Sequence, residues 1–135
     1  MKSLFKVFLI VIFFFVSCKK DPLFDPSQSN IPDQENFDVL EKQVQHGVSL
    51  LFFYNVWDKN SLNMLPKIEA IARKQAFDSV YFAKVDFDKN PSLARFFVIR
   101  GFPVVVLLKD GTERTRYEGD NHSQEKIEKR LLELL

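Results

Sequence analysis

The chain has 135 residues, which is room for one domain of ordinary size, and 46% of them are apolar. Its formal net charge of +1 gives no reason to expect nucleic acid as a partner. A single cysteine, Cys18, excludes an internal disulfide and a cysteine zinc cluster, and the two histidines, His46 and His122, lie far apart in sequence. We therefore expect neither a metal site nor a cofactor.

The N-terminus has the pattern of a targeting segment. Lys2 and Lys6 give a positively charged start, and an unbroken apolar run, Val7–Val16, follows them. A membrane-spanning helix needs about 20 apolar residues, roughly twice the length of this run. The run is therefore better interpreted as the core of a signal peptide.

The residues that end this segment, Phe15-Val16-Ser17-Cys18, resemble the bacterial lipoprotein signal, although the family usually has Leu where this chain has Phe. The resemblance implies that residues 1–17 are a signal peptide and that Cys18 is acylated. Because each buried methylene contributes about 0.8 kcal/mol, several acyl chains anchor a protein firmly to membrane lipid. We then expect a periplasmic or surface-facing protein of the bacterial cell envelope. A free cysteine after an ordinary signal peptide and a short membrane anchor are the alternatives.

Residues 18–35 are predicted to be the lipidated cysteine followed by a flexible tether. Three prolines, Pro22, Pro26 and Pro32, alternate there with mostly polar residues. Such a segment buries too little apolar surface to offset the entropy lost on ordering. The folded domain is predicted to cover residues 36–135.

Helical and strand patterns alternate within this domain. The nearly all-apolar segment Val48–Tyr54 is typical of a strand buried on both faces. The other patterns predict, in chain order, a helix from Phe37, a helix containing Pro66, a strand over Val80–Phe87, a short helix over Ser92–Phe97, a hairpin of Val104–Leu108 and Thr112–Glu118, and a helix capped by Ser123. This order indicates an α/β fold, with an extra edge strand near residues 36–39 as an open alternative.

Three motifs make the chain resemble thioredoxins over roughly residues 37–135. Trp57 and Pro66 match the Trp and the helix Pro of the family's active-site segment. Asp86–Pro91 resembles the family's Asp-x-Asp-x-Asn-Pro turn, and Arg100–Pro103 resembles its Arg-Gly-x-Pro segment. The resemblance implies a thioredoxin-like fold, in which helices flank a central mixed sheet.

The positions where this family has its two active-site cysteines hold Asp58 and Ser61. Thiol–disulfide exchange needs a thiolate, and neither a carboxylate nor a hydroxyl can form or break an S–S bond. Phe52 also stands where the family usually has a buried Asp that assists proton transfer. We therefore expect no catalytic residue of this kind. Asp58 and Ser61 are better explained as helix caps than as a new active site, because a Ser nucleophile needs a base in reach.

The resemblance further implies a shallow groove for an extended peptide, beside a cis peptide bond between Phe102 and Pro103. Trp57, Phe102, Pro103 and Gly119 match the positions that flank this groove in the family. A peptide would bind there by pairing with backbone groups, as it does at other sheet edges. The alternative is that Trp57 and Phe102 are partly buried packing residues.

Lys84 also has a counterpart in the family, where it lies beside the buried Asp. Because Phe52 cannot pair with it, we expect Lys84 to pair with Asp86 or Asp58, or to reach solvent along its apolar stem.

The sequence as a whole predicts a lipid-anchored, thioredoxin-like domain that binds or assembles a protein or peptide partner. An enzyme is the alternative class. It would be a thioredoxin-family oxidoreductase helper that uses a partner's thiols, or a non-thiol enzyme of the glutathione-binding fold.

Overall fold

The structure, a computed structural model, describes residues 24–135. The predicted signal peptide at residues 1–17, the lipidation site Cys18 and the first part of the predicted tether lie outside the described residues and stay predictions. Within the described range, no helix is both long enough and apolar enough to cross a membrane.

Four strands form one sheet: β1 (Val48–Tyr54), β2 (Tyr81–Asp86), β3 (Val104–Lys109) and β4 (Thr112–Glu118). Their spatial order is β2-β1-β3-β4. β1 runs parallel to β2, whereas β3 is antiparallel to both β1 and β4. The turn between β3 and β4 places Asp110 and Gly111 at φ of 49° and 76°, the left-handed region that Asp-Gly hairpins favour. The predicted α/β fold with a mixed sheet is confirmed.

Four helices flank the sheet: α1 (Phe37–Val44), α2 (Lys59–Ala72), α3 (Pro91–Phe96) and α4 (Gln124–Leu134). The predicted cap of the last helix is confirmed, since the Ser123 side chain accepts a hydrogen bond from the Lys126 N–H. At residues 36–39 the chain begins α1 instead of forming an edge strand. Asn36 caps this helix by accepting from the N–H groups of Asp38 and Val39.

β1 is the centre of the core, and all seven of its residues are buried. Because side chains alternate across a strand, its residues contribute to both faces of the sheet. Leu50, Phe52 and Tyr54 pack on the side of α2 and α4, while Leu51 and Phe53 pack on the side of α1 and α3. This two-sided burial explains why the strand sequence is apolar without a break.

The folded domain begins earlier than the predicted boundary at residue 36. Ile31 is only 2% exposed and belongs to the core on the α2 side. The Lys84 N–H donates to the Pro32 carbonyl at 3.0 Å, and the Gln34 N–H donates to the Lys84 carbonyl at 2.9 Å. The prediction of a flexible tether is therefore wrong for residues 29–34, which we call the N-terminal strap. A buried isoleucine and two backbone hydrogen bonds to β2 offset the cost of ordering it.

The strap supplies the partner of Lys84, whose side chain is buried. Lys84 Nζ lies 2.6 Å from Asp33 Oδ2 and donates to the Ile31 carbonyl at 2.9 Å. The Tyr54 hydroxyl donates to Asp33 Oδ1 at 2.9 Å. The predicted surroundings of Lys84, which were Asp86, Asp58 or solvent, are therefore wrong. Burial and the hydrogen bond to Asp33 raise the pKa of Tyr54, so its hydroxyl stays protonated.

A second buried charge also contacts the strap. Glu69 in α2 is 2% exposed. Its Oε1 accepts from the Ser29 hydroxyl and from the Ile31 N–H, the latter at 3.4 Å. The strap thus provides partners to the Lys84 ammonium and to Oε1 of Glu69, whereas Oε2 of Glu69 has no hydrogen-bond partner among the described residues.

Replacing Asp33 with Ala should lower the free energy of unfolding. The buried Lys84 ammonium would keep only a carbonyl partner, and the Tyr54 hydroxyl would lose its acceptor. We expect a loss of about 1–3 kcal/mol, the usual effect of leaving buried polar groups unsatisfied. Urea-induced unfolding measures it. The control is Asp78→Ala at an exposed position, which should change stability by less than about 0.5 kcal/mol. Equal stability of both variants would contradict the structural role of the strap.

Candidate functional site

The candidate site lies where β1 ends and α2 begins. Trp57 is 85% exposed there, so the alternative that it is a partly buried packing residue is wrong. The turn that carries it is fixed by Asn55, whose side chain accepts from the Trp57 N–H at 2.8 Å. The Asn55 carbonyl also accepts from the Asp58 N–H at 3.2 Å. A rigid turn thus presents a large aromatic surface to solvent.

Asp58 and Ser61 form a closed hydrogen-bonded arrangement at the start of α2. Asp58 Oδ2 accepts from both the N–H and the hydroxyl of Ser61, each at 2.8 Å. The Ser61 Oγ in turn accepts from the Asn55 N–H at 3.2 Å. This geometry confirms the capping role predicted for Asp58. Because Ser61 is fully buried and its hydroxyl is already engaged, it is not presented as a nucleophile.

The strand position beneath this cap is apolar. Phe52 is fully buried, pairs in register with Lys84 of β2, and stacks on Tyr54 with ring centroids 5.7 Å apart. The family resemblance indicates that thioredoxins usually have a buried Asp at this position. The ring instead fills the space between β1 and α2, which leaves no proton-transfer group at position 52.

The second part of the site lies at the start of β3. The Phe102–Pro103 peptide bond is cis, which confirms the prediction. The Pro103 carbonyl accepts from the Gly119 N–H at 2.9 Å, and Gly119 has a φ of +85° that favours glycine. A cavity of about 300 Å³ opens here, lined by Phe102, Pro103, Gly119 and neighbouring residues including Arg100. Three of the four predicted groove residues therefore surround one cavity.

Trp57 does not line this cavity but lies at the same end of the strands. Val104, the first residue of β3, is paired with Phe53 near the end of β1. The Phe102 ring packs against Phe87 with centroids 5.3 Å apart and is half-buried. Packing is therefore part of the role of Phe102, whereas Trp57 contributes exposed surface.

One residue that shapes the site was missed in the sequence. Lys67 Nζ, on α2, donates to the carbonyl groups of Asp120 and His122, both at 3.0 Å. These contacts hold the loop that follows Gly119. Because the partners lie more than 50 residues apart in sequence and are backbone atoms, no residue pattern could have indicated them. In residues 24–135, no group of three or more His, Cys, Asp or Glu side chains is arranged to hold a metal ion.

The family model for thioredoxin matches residues 29–133. The chain belongs to the thioredoxin family. The match begins at Ser29, the first residue of the N-terminal strap, so the matched region includes the strap.

Known relatives agree with this assignment. Thioredoxin 2 of Plasmodium falciparum is 31% identical over 98 residues, which cover 73% of this chain and 57% of that protein. Thioredoxin of Chlamydia trachomatis is 30% identical over 89 residues, covering 66% of this chain and 82% of the relative. The crystal structure of mitochondrial thioredoxin 3 from Saccharomyces cerevisiae superposes with a TM-score of 0.68 at 26% identity, over 77% of this chain and 95% of that one. The chain thus spans only about half of the Plasmodium relative.

Replacing Asp58 with Ala should destabilise the domain by about 0.5–2 kcal/mol, the range measured for a lost helix cap. Asp58→Asn is the matched control, because Asn caps helices about as well as Asp does. Chemical unfolding at neutral pH should therefore rank the parent and Asp58→Asn together, above Asp58→Ala. If Asp58→Ala is as stable as the parent, the hydrogen bonds at the start of α2 have no energetic role.

Proposed function

We propose that this protein is a lipid-anchored thioredoxin-family domain that binds a protein or peptide and does not catalyse thiol–disulfide exchange. The observation that carries the proposal is the arrangement at the start of α2. A hydrogen-bonded cap of half-buried Asp58 and buried Ser61 lies where the family has its redox pair, and a cavity opens nearby at Pro103 and Gly119.

The atoms present at the site support the absence of thiol–disulfide exchange. Exchange requires a thiolate that attacks a disulfide and a second thiol that resolves the mixed disulfide. The single cysteine of the chain, Cys18, precedes the matched domain and is the proposed lipidation site. A carboxylate and a hydrogen-bonded hydroxyl cannot replace either thiol.

A binding role is supported by what the surface offers. Trp57 exposes a large amphipathic ring, of the kind enriched in protein interfaces. The cavity lined by Phe102, Pro103 and Gly119 lies at the same end of the sheet, beside β3 and β4, and β3 pairs with β1. An extended peptide passing Trp57 and entering this cavity would meet aromatic surface first and backbone groups next.

The second candidate is a thioredoxin-family oxidoreductase helper that positions a partner whose own thiols react. The curated relatives favour it, since they are named as thioredoxins and protein disulfide isomerases. A non-thiol enzyme of the glutathione-binding fold has less support, because the described residues near Ser61 offer its hydroxyl only a carboxylate and a backbone N–H.

We expect the mature chain carrying Cys18→Ala to reduce insulin no faster than a blank with dithiothreitol alone. The matched variant adds Asp58→Cys and Ser61→Cys in the same background, which restores both thiols. Its activity should be measurable but weak, because Phe52 supplies no proton-transfer carboxylate. A further Phe52→Asp change should raise the rate. Turnover by the chain without thiols would contradict the proposal. Full thioredoxin-like activity of the double-cysteine variant would contradict the limiting role given to Phe52.

Lipid anchoring is tested separately through Cys18. In cells grown with labelled palmitate, the parent should incorporate label and partition with membranes. Cys18→Ala should lose both properties, because it has no thiol for the acyl group. Cys18→Ser is a matched control that keeps a small polar side chain and should behave like Cys18→Ala. Persistent membrane partition of both variants would favour the alternative of an uncleaved membrane anchor.

A further inference from the structure

The first described residues of the chain lie at the same end of the sheet as the candidate site. Asp25, Pro26 and Ser27 line a cavity of about 390 Å³ together with Tyr54 and Asp86. Tyr54 and Asp86 are the last residues of β1 and β2. The same cavity also contacts Val56, which directly precedes Trp57. The entry point and the candidate groove therefore share one end of the fold.

The strap shortens the distance between the domain and its proposed anchor. Only six residue steps separate Cys18 from Phe24, the first described residue. Whatever conformation these residues adopt, they span at most about 20–22 Å. A tether that ran freely to residue 36 would span up to about 60–65 Å over its eighteen steps. Because residues 24–34 lie against the domain, the distance that the remaining tether can span is much shorter.

The groove is close to this entry point. The entry segment lies beside the ends of β1 and β2, and the cavity at Pro103 and Gly119 lies beside β3 and β4. These strands are neighbours in the order β2-β1-β3-β4. Since adjacent strands are about 4.8 Å apart, the two places are separated by roughly 10–15 Å. Added to the reach of the anchor, this puts the groove within about 35 Å of the membrane surface.

We infer that the groove takes an extended peptide segment from the membrane-proximal part of another envelope protein. This inference rests on the proposed function, because it requires both the anchor at Cys18 and the binding role of the groove. A segment that lies farther than about 35 Å from the bilayer cannot be reached by an anchored copy of this domain. The partner class is thus set by distance from the membrane as well as by the chemistry of the groove.

The residues at this end of the domain are better suited to binding a peptide than to binding the membrane surface. Binding to anionic lipid requires a cluster of about 4–8 basic residues. Here the exposed basic residues Lys59, Lys89 and Arg100 are interspersed with acidic ones. The exposed acidic residues at the same end are Asp25, Asp33, Asp88 and Glu118. Such a mixed surface gives no net attraction to anionic headgroups, whereas Trp57 and the cavity offer contacts to a peptide.

The position of the groove can be tested by energy transfer, because Trp57 is the only tryptophan in the chain. The mature lipidated protein is placed in vesicles that contain a dansyl-labelled phospholipid. A variant carries 30 Gly/Ser residues inserted between Lys20 and Asp21, which adds a root-mean-square reach of about 30 Å. We expect the insertion to lower transfer from Trp57 by at least twofold. The same linker appended after Leu135 is the control and should leave transfer unchanged. Equal transfer in all three proteins would overturn the inference.

The partner class is tested by placing a photo-reactive phenylalanine analogue at Val56 in the lipidated protein in native membranes. Cross-linked peptides, identified by mass spectrometry, should lie within about ten extended residues of a transmembrane helix or a lipidated cysteine in the partner. The variant with the inserted linker should capture segments farther from the membrane as well.

The possible outcomes distinguish failure of this inference from failure of the proposed binding function. Distant segments captured by the parent would overturn the inference while leaving peptide binding intact. Adducts with phospholipid alone would show that this end binds the membrane itself and would also overturn it. If neither the parent nor the variant with the inserted linker yields a peptide adduct, the proposed binding function is wrong.

Discussion

A buried lysine determines how the N-terminal part of this chain is placed. An ammonium group inside a protein costs several kcal/mol unless a carboxylate and further hydrogen bonds compensate it. Lys84 lies in β2, and the carboxylate it contacts belongs to Asp33, outside the sheet. The segment around Asp33 must therefore lie against β2 whenever the domain is folded. The same contact places backbone partners at the edge of β2, where unpaired groups would otherwise invite association with other strands.

The contact between Lys84 and Asp33 is accompanied by an apolar residue in the strand beneath the candidate site. Lys84 is in register with Phe52, which stands where the family usually has a buried aspartate. Because position 52 holds an aromatic ring, the positive charge of Lys84 is paired with Asp33 beside the outer strand β2 and not with a residue of the central strand β1. Phe52 also stacks on Tyr54, whose hydroxyl reaches the same Asp33. The centre of the sheet at Phe52 is thus apolar, and the polar contacts of Lys84 and Tyr54 are made to the strap.

The sequence predicted the elements whose patterns are local. The apolar run of β1, the Asp-Gly hairpin and the caps at Asp58 and Ser123 depend on neighbouring residues, and all of them appear in the structure. The strap was mistaken for a flexible tether because its composition is polar and proline-rich, and a single side chain, Ile31, provides most of its apolar contact. The partners of Lys67 and Lys84 could not be predicted either, since both contacts join segments that are distant in sequence.

The residue types of the described domain also affect how it reacts with oxidants. Between residues 24 and 135 the sequence has one sulfur atom, that of Met64, and its side chain is fully buried. Oxidants act on proteins chiefly through exposed thiols and thioethers, and this surface has neither. Unlike a thiol pair, the side chains of Asp58 and Ser61 contain no sulfur atom that an oxidant could modify.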